Sequence, residues 1–329
     1  MIDEAGAKTH ERDGAMLRED SDGELTQDEE DASGGEFDAL DQLANLSEDM
    51  SFAEWLASSD VPEEHRRGLL GYVEGFNAAD ANRISARALG VQQKAEDAIE
   101  GDRVWHLSGG YSQLTTYLAN CMRNAGAELR LNCIVEAVRW KSGEVSVQTS
   151  SGEFRARACI VTLPLGVLQL ANRDAGIRFE PEPAAIAQAQ RLAMGSAERF
   201  TMVFRERWWE RSKRVSEKAL QTMSFLLAFQ RLPPVWWTPH PEPEALAALT
   251  GWAGGPRAAE LFGRSEEELG DAACRELAAV FQVAEQSVRD ALIATHRHDW
   301  QLDPFSRGAY SYVPVGALDA PAKMAIPES

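Results

Sequence analysis

Residues 158–168 read ACIVTLPLGVL, an apolar run that ends at Pro164 and Gly166. A run this evenly apolar and rich in β-favouring residues is typical of a strand buried on both faces, as in the parallel sheet of an α/β domain. Proline stops the hydrogen-bonded ladder because it has no N–H group to donate. Ligands of open α/β sheets bind outside the carboxyl ends of such strands, so Thr162, Leu163 and Pro164 are the first candidates for cofactor contacts.

The residues that precede this run predict a compact unit of helix and sheet. Residues 112–125 have helical spacing, with Leu114, Leu118 and Met122 on one face, and Gly126 ends the helix. Apolar residues then alternate from 129 to 135, and turns follow in the Lys-Ser-Gly and Ser-Ser-Gly sequences. We predict a helix, a strand, a three-stranded meander and the buried strand. On pattern alone, an α/β domain without a site explains these residues equally well.

The negative charge of the chain is concentrated near its N-terminus. The formal net charge is −19, and the first 60 residues hold nineteen Asp or Glu against Lys8, Arg12 and Arg18, a net of −16. The run from Asp20 to Asp31 is typical of a solvated loop or flexible tail; an acidic face that attracts cationic substrates is the alternative. No basic stripe is present, which argues against a nucleic-acid partner.

The cysteines and the hydropathy pattern indicate a reducing compartment. Cys121, Cys133, Cys159 and Cys274 lack the spacing of a metal or CxxC site and lie in apolar contexts, so we expect buried, reduced thiols. No run reaches the roughly 18 apolar residues of a membrane span, and no signal peptide is recognisable. We therefore expect a cytoplasmic protein without membrane contact.

Several motifs that would indicate another chemistry are missing from the sequence. GxSxG and the P-loop are absent, and neither Gly34-Gly35 nor Gly109-Gly110 continues into GxGxxG. His296 and His298 form an H-x-H pair without a third ligand nearby, so we expect no metal site.

Four separated pieces of the sequence share their order and spacing with one known family. They are Gly109-Gly-Tyr111, residues 160–168, the segment from Met194-Gly195 through Arg199 to Trp208-Trp209, and residues 300–312, which read WQLDPFSRGAYSY. Through them the chain resembles the FAD-dependent amine oxidases, which include monoamine oxidases, polyamine oxidases and lysine-specific histone demethylases. The likeness covers roughly residues 40–327.

The resemblance implies FAD as cofactor and a small amine as substrate. Cofactor contacts are implied at Val135, Thr162, Leu163, Pro164 and Trp300. Tyr310 matches one wall of an aromatic cage that aligns the amine, Phe305 lies nearby in the same motif, and Trp209 packs behind the site. An amine between such π-faces would present its α C–H bond to the flavin and, when charged, gain a cation–π interaction of about 0.5–2 kcal/mol. The alternative is that these aromatics are ordinary core residues.

One departure from the family pattern concerns Arg199, which we count with Trp300 and Tyr310 as a catalytic candidate. The family has a lysine here that holds a water against the flavin and helps the reduced flavin react with oxygen. Arginine keeps its proton and its planar group is bulkier, so we expect substrate oxidation to survive and oxygen reactivity to change. A surface ion pair of Arg199 with Glu198 or Glu206 is the alternative.

The second departure is the lack of counterparts to the family's N-terminal GxGxxG segment and C-terminal glycine-rich segment. The helix N-terminus of the first segment receives the FAD pyrophosphate, so we expect an incomplete chain that binds FAD poorly. A complementary fragment that supplies the dinucleotide-binding motif is a candidate partner.

The expected fold combines α/β and α+β parts: an incomplete, Rossmann-like FAD-binding domain with a β-meander, and a substrate domain of mixed sheet and helices. The expected segments are an acidic flexible segment (1–37), a helical part of the substrate domain (38–100), the partial FAD-binding domain (101–170), the substrate domain (171–299) and a return to the FAD-binding domain (300–329).

Oxidation of an amine to an imine with FAD as hydride acceptor is the leading functional hypothesis. A non-catalytic remnant that acts as a scaffold or binding module is the alternative from another class. A flavin-dependent desaturase is a third hypothesis. The Trp300 and Tyr310 pair argues against it, because a bulky substrate would not pass between such walls.

Overall fold

The structure, a computed structural model, describes residues 1–28, 38–99, 101, 103–173, 176–240 and 247–328. Its strands are β1 (Thr9–Glu11), β2 (Ala15–Glu19), β3 (Leu25–Gln27), β4 (Trp105–Leu107), β5 (Val135–Lys141), β6 (Glu144–Thr149), β7 (Gly152–Ala156), β8 (Arg178–Glu180), β9 (Ala193–Met194), β10 (Ala197–Phe204), β11 (Met223–Leu227), β12 (Val235–Trp237), β13 (Ala248–Gly254), β14 (Leu292–Arg297) and β15 (Ser311–Tyr312). Its α-helices are α1 (Phe52–Ser58), α2 (Glu63–Gly75), α3 (Ala86–Asp97), α4 (Ser112–Asn124), α5 (Leu165–Leu168), α6 (Ala184–Ala189), α7 (Glu217–Gln221), α8 (Glu266–Phe281), α9 (Glu285–Ala291) and α10 (Ala320–Met324). Short 3-10 helices span Asp38–Asn45, Trp208–Arg211 and Gly255–Leu261.

The largest sheet has seven strands in the order β14-β10-β13-β12-β11-β2-β3. Neighbours in it are antiparallel except β11 and β2, which run parallel. Alternate residues of β10 are buried, including Phe200, Met202 and Phe204, and they join one core with apolar residues of α8. In the sequence, residues 200–204, 222–229 and 247–252 predict strands, and β10, β11 and β13 confirm all three.

The helical part between residues 38 and 97 has a core of its own. Ser51 begins α1 with a capping box, in which its hydroxyl accepts from the Glu54 N–H and the Glu54 carboxylate accepts from the Ser51 N–H. A second capping box, at Ser265 and Glu268, begins α8 in the same way. The Ser-x-x-Glu sequences at both places predict these helix starts, and the structure confirms them.

The predicted meander is confirmed as β5, β6 and β7, with β8 parallel to β5 at the other edge. Apolar residues of β5, β6, α5 and α6 form a third core under this sheet. The mixed α/β and α+β architecture that the sequence predicted is therefore the observed one. Among the helices of the described ranges, none is both long and apolar enough to cross a bilayer.

The predicted buried strand at residues 158–163 is wrong. These residues form no strand, and Ile160 is 90% exposed. A strand requires a neighbour that shares its backbone hydrogen bonds, and no strand in the described part of the chain pairs with this segment. Residues 128–134, predicted as a strand from their alternation, are likewise irregular, and β5 begins at Val135.

Burial around α4 also differs from the prediction. The helix forms as expected, but none of its residues is buried, and Leu118 and Met122 are exposed. Cys121 and Cys159 are exposed and Cys133 is partly exposed, so the prediction of buried thiols holds for Cys274 alone. The apolar face of α4, with Leu114, Leu118 and Met122, joins none of the three cores.

Residues 1–28 are not the flexible tail that their acidity predicted. They contribute β1, β2 and β3, and β2 alternates between buried and partly buried residues, with Leu17 fully buried. The Glu19 carboxylate is buried and accepts hydrogen bonds from Arg231, at 2.6 Å from Nε and 2.7 Å from Nη2. A carboxylate can be buried when it is paired with a cation. A high content of Asp and Glu therefore does not by itself indicate a flexible segment. Residues 29–37, also predicted flexible, lie outside the described residues.

Candidate active site

Two neighbouring cavities lie beside the seven-stranded sheet. We call them the small cavity, of about 280 Å³, and the large cavity, of about 490 Å³. The small cavity is lined by Pro164, Met194, Ala197, Arg199, Trp252, Trp300, Ser306, Gly308, Ala309 and Tyr310. The large cavity is lined by Arg12, Met16, Arg18, Gly68, Gly71, Tyr72, Gly75, Phe76, Val104, Phe225, Leu227, Phe229, Val235, Trp237, Trp252 and Tyr310. Trp252 and Tyr310 line both, so these two rings stand where the cavities meet.

Strand register and a close backbone approach assemble the small cavity. Arg199 on β10 stands directly opposite Trp252 on β13, which places both side chains on one face of the sheet. The Gly195 N–H donates to the Tyr310 carbonyl at 2.7 Å, which fixes the segment before β15 against the start of β10. Gly166 follows Pro164 and packs on the Arg307 carbonyl, where a Cβ would collide. The run that ends at Pro164 therefore meets the loop that carries Tyr310.

Trp252 and Tyr310 form a parallel pair of rings with centroids 6.3 Å apart and planes 9° from parallel. The Tyr310 hydroxyl donates to the Phe76 carbonyl at 2.7 Å, and Trp252 Nε1 donates to the Gly75 carbonyl at 2.9 Å. Hydrogen bonds thus anchor both rings to carbonyl groups at the C-terminal end of α2. Carbonyl groups at a helix end lack partners within the helix. Burial raises the pKa of Tyr310 to about 12, so the phenol stays protonated and remains a donor at neutral pH.

Trp300 forms another wall of the small cavity and is partly exposed. Its carbonyl accepts from the Gly308 N–H at 2.9 Å, and its ring contacts the edge of His298 with centroids 4.4 Å apart. His298 Nε2 lies 2.8 Å from Asp303 Oδ2, so this histidine supports the tryptophan loop. Within the described ranges, no group of three or more His, Cys, Asp or Glu is arranged to hold a metal.

Arg199 brings a positive charge to the small cavity. Its guanidinium carbon lies 5.8 Å from the centre of the Trp237 ring. The ion pair that the sequence offered as an alternative is not formed, because Glu198 pairs with Arg297 at 2.8 Å and Glu206 pairs with Arg211 at 2.6 Å. No described carboxylate forms an ion pair with Arg199, and an arginine keeps its charge at any physiological pH.

The structure brings together four of the predicted site residues and leaves four apart. Pro164, Arg199, Trp300 and Tyr310 line the small cavity. Val135, Thr162, Leu163 and Phe305 line neither cavity, and all but Leu163 are exposed. Their cofactor and substrate roles stay predictions. Trp209 lies fully buried in the core of the seven-stranded sheet.

Sequence reasoning missed the large cavity, in particular Arg12, Trp237 and Trp252. Two signals were available: the alternation of β2 within an acidic segment, and tryptophans on β12 and β13 beyond what a small core needs. Neither signal reveals a cavity by itself. These residues come together through the strand order of the sheet, which pairs parts of the chain that are distant in sequence.

The chain matches the family described as flavin containing amine oxidoreductase over residues 26–327. Among curated proteins, it is 26% identical over 244 residues to the probable polyamine oxidase 5 of Arabidopsis thaliana, and 29% identical over 231 residues to lysine-specific histone demethylase 1 homolog 3 of the same plant. These alignments cover 66% and 64% of this chain, which spans 44% and 13% of the length of those relatives.

Solved structures share the fold across nearly the whole chain. A redesigned putrescine oxidase superposes with a TM-score of 0.79 at 19% identity, covering 99% of this chain and 76% of its own. Cyclohexylamine oxidase from Brevibacterium oxydans IH-35A superposes with a TM-score of 0.76 at 20% identity, with the same coverage. The match to the family over nearly all of the sequence and the agreement in fold lead to one assignment: this chain belongs to the flavin-containing amine oxidoreductases.

Proposed function

We propose that this protein oxidises an amine to an imine with FAD, and that the small cavity is where the amine meets the flavin. The observation that carries the proposal is the convergence of Pro164, Arg199, Trp300 and Tyr310 on one cavity, although they come from three separate segments of the chain. FAD, when bound, accepts the hydride from the α-carbon of the amine, and water then hydrolyses the imine.

The residues of the small cavity fit the ring end of FAD. Pro164 and Trp300 offer flat apolar surfaces of the kind that an isoalloxazine ring packs against, and the parallel rings of Trp252 and Tyr310 face the same space. The nucleotide end is different. Val135 and Thr162 are exposed, and neither lines one of the two cavities. We therefore propose that the chain positions the flavin ring but holds the dinucleotide weakly.

The residues of the chain contribute position and charge. The Trp252 and Tyr310 rings form an aromatic wall against which a slim amine is oriented, and orientation of reacting groups is a large part of such catalysis. The charge of Arg199 disfavours a second cation in the same cavity. We propose that it favours the neutral amine, whose nitrogen lone pair is free when the α C–H bond breaks.

The test is anaerobic mixing of the full chain with saturating FAD and a panel of primary amines, followed by loss of flavin absorbance. We expect reduction by at least one amine, and we expect Trp300→Ala to slow it strongly. Trp105→Ala is the matched control, because Trp105 is exposed to a similar extent, 43% against 45%, and lines neither cavity. Absence of reduction by every amine at saturating FAD would contradict the proposal.

Weak retention of FAD has its own test. In the sequence, Leu131 precedes the meander that carries Val135, and Ile160 follows it. Both are apolar and exposed, and no described element covers them. We propose that a complementary polypeptide covering them would tighten FAD binding. Equilibrium dialysis of the chain alone should give partial occupancy at micromolar FAD. Protein that purifies with one equivalent of flavin would refute this part.

A further inference from the structure

The large cavity has an unusual charge pattern for a site next to an amine-oxidising centre. Most of its lining is aromatic or aliphatic, and the charged residues in it are Arg12 and Arg18. No aspartate or glutamate in the described ranges lines it. The walls that an amine substrate would pass therefore carry positive charge without a carboxylate in the lining to balance it.

Arg12 is held firmly and has a hydrogen-bond donor left over. Its guanidinium lies over the Phe225 ring at 4.1 Å, and Nη2 donates to the Thr238 carbonyl at 3.0 Å. Its Nε–H is buried and has no partner among the described residues. Burial lowers the pKa of Arg12 to about 10, which leaves the group charged at neutral pH but poorly solvated.

The two arginines differ in how their charge is balanced. Arg18 pairs with Asp28 at 3.0 Å. Arg12 forms no ion pair within the described part of the chain, and its fixed contacts are carbonyl oxygens and rings. A buried donor and a buried charge without a carboxylate are both costly unless a ligand satisfies them.

Arg12 is connected to the small cavity through a row of aromatic rings. Its guanidinium carbon lies 5.7 Å from the Trp237 ring, whose centre is 6.2 Å from that of Trp252, the neighbour of Tyr310. Arg199 approaches the same Trp237 ring to 5.8 Å. Trp237 therefore lies within reach of two guanidinium groups, one belonging to each cavity.

We propose that the large cavity binds the tail of the amine substrate, and that Arg12 selects an aromatic or aliphatic tail that ends in a carboxylate while excluding diamines and polyamines. The inference rests on the proposed function, because it takes the small cavity as the place of the reacting nitrogen. A tail carboxylate in the cavity pairs with the Arg12 guanidinium and balances its charge. A second ammonium there would meet the charge of Arg12, which no carboxylate in the described ranges balances by an ion pair.

Direct binding to the full chain tests this without turnover. The probes are phenylpropylamine and its para-carboxylate and para-aminomethyl derivatives, which differ only at the tail. Calorimetry measures their affinities. We expect the carboxylate to bind about tenfold more tightly than the parent amine, the low end for a hydrogen bond to a charged group, and the diamine to bind more weakly than the parent.

Variants assign the effect to Arg12. Arg12→Met should remove the preference for the carboxylate, and Arg12→Lys should keep part of it. Arg139→Met is the control, because Arg139 pairs with Glu180 on the meander sheet and lines neither cavity. The wild-type series needs no variant, so it decides the matter even if Arg12→Met fails to fold.

The possible outcomes separate this inference from the proposed function. Equal or tighter binding of the diamine, no binding of any probe, or an unchanged preference in a folded Arg12→Met protein would each overturn the inference. Tight, Arg12-dependent binding of the carboxylate supports it. If that ligand is bound but never reduces added FAD, the proposed function fails and the tail site stands.

Discussion

Glu198 is the most perturbed carboxylate beside the small cavity. It is 2% exposed and lies 2.8 Å from Arg297 Nη2, next to the cavity residue Arg199 on β10. Burial raises its pKa to about 7, and Asp299 adds to the rise while Arg297 opposes it. Because the folded pKa lies above the unfolded value, the folded chain binds more protons between about pH 4.5 and pH 7. Its stability should fall as the pH rises through that window.

The first prediction is that Glu198→Gln removes this slope. We expect wild type to lose up to about 3 kcal/mol of unfolding free energy relative to the variant between about pH 4.5 and pH 7, as a shift of this size allows. Urea unfolding at a series of pH values measures it. Glu180→Gln, at an exposed carboxylate that pairs with Arg139, should keep the wild-type slope. Parallel curves for wild type and Glu198→Gln would contradict the assignment.

Arg199 gives the second prediction. The resemblance places a lysine at this position, and the structure leaves Arg199 in the small cavity without an ion pair to any described residue. Arg199→Lys should accelerate reaction of the reduced flavin with oxygen by on the order of tenfold, equivalent to about 1.4 kcal/mol, and change amine oxidation less. Stopped-flow reoxidation of the FAD-saturated proteins measures it. Equal reoxidation rates would show that the arginine does not govern this step.

Sequence motifs predicted part of the site, because the residues of each motif are close together in the sequence. Pro164, Trp300 and Tyr310 belong to short segments whose residues follow one another closely, so their pattern survives in the sequence. Arg12 and Trp237 carry no such pattern. They meet because β2 and β12 both flank β11, a pairing between distant parts of the chain.

At the level of secondary structure, β2 is the element that the acidic composition of the N-terminal segment failed to predict. It lies between β11 and β3, and its Leu17 side chain is fully buried in the main core. Arg12 and Met16, which line the large cavity, lie just before β2 and within it. The N-terminal segment is therefore a structural part of the large cavity.

The third prediction tests that role. Leu17→Ala should destabilise the protein by about 2–5 kcal/mol, the range for removing a fully buried leucine side chain. Leu302→Ala is the control, since Leu302 is 77% exposed and should change the unfolding free energy by less than about 0.5 kcal/mol. Chemical denaturation of both variants is the measurement. A Leu17→Ala protein as stable as the control would mean that β2 does not belong to the core.

The strands that sequence reasoning located differ physically from the one it misplaced. β10 alternates between buried and less buried residues and pairs antiparallel with β13 and β14, so a period of two residues is sufficient evidence there. For residues 158–163, the prediction of a strand rested on apolar composition alone. Composition shows that a segment could be a buried strand, whereas burial depends on a neighbour that local sequence does not specify.

On the scale of the whole molecule, exposed apolar side chains are unevenly distributed. Between residues 111 and 161 they include Tyr111, Leu118, Leu131, Ile134 and Ile160. The excess negative charge lies elsewhere, mostly in the first 60 residues. Because exposed apolar surface promotes association and charge opposes it, this part of the molecule should mediate self-association.

The fourth prediction follows from that distribution. Leu131→Glu combined with Ile160→Glu should reduce self-association and binding of apolar dyes, while the unfolding free energy changes by less than about 1 kcal/mol because both residues are exposed. Light scattering against protein concentration measures association. Leu302→Glu with Ile326→Glu is the control pair, since both positions are exposed outside the segment. Equal improvement in both double variants would mean that charge alone is responsible.

The pairing of β2 with β11 also constrains the order in which the protein can be made. Glu19 bonds to Arg231, a partner 212 positions further along the chain. During translation, the early strand leaves the ribosome long before its parallel neighbour exists, and until then β2 can pair with β3 alone, which leaves its other edge open. Contacts this distant in sequence form slowly. The open edge of β2 is therefore available for pairing with other chains until synthesis has passed Arg231.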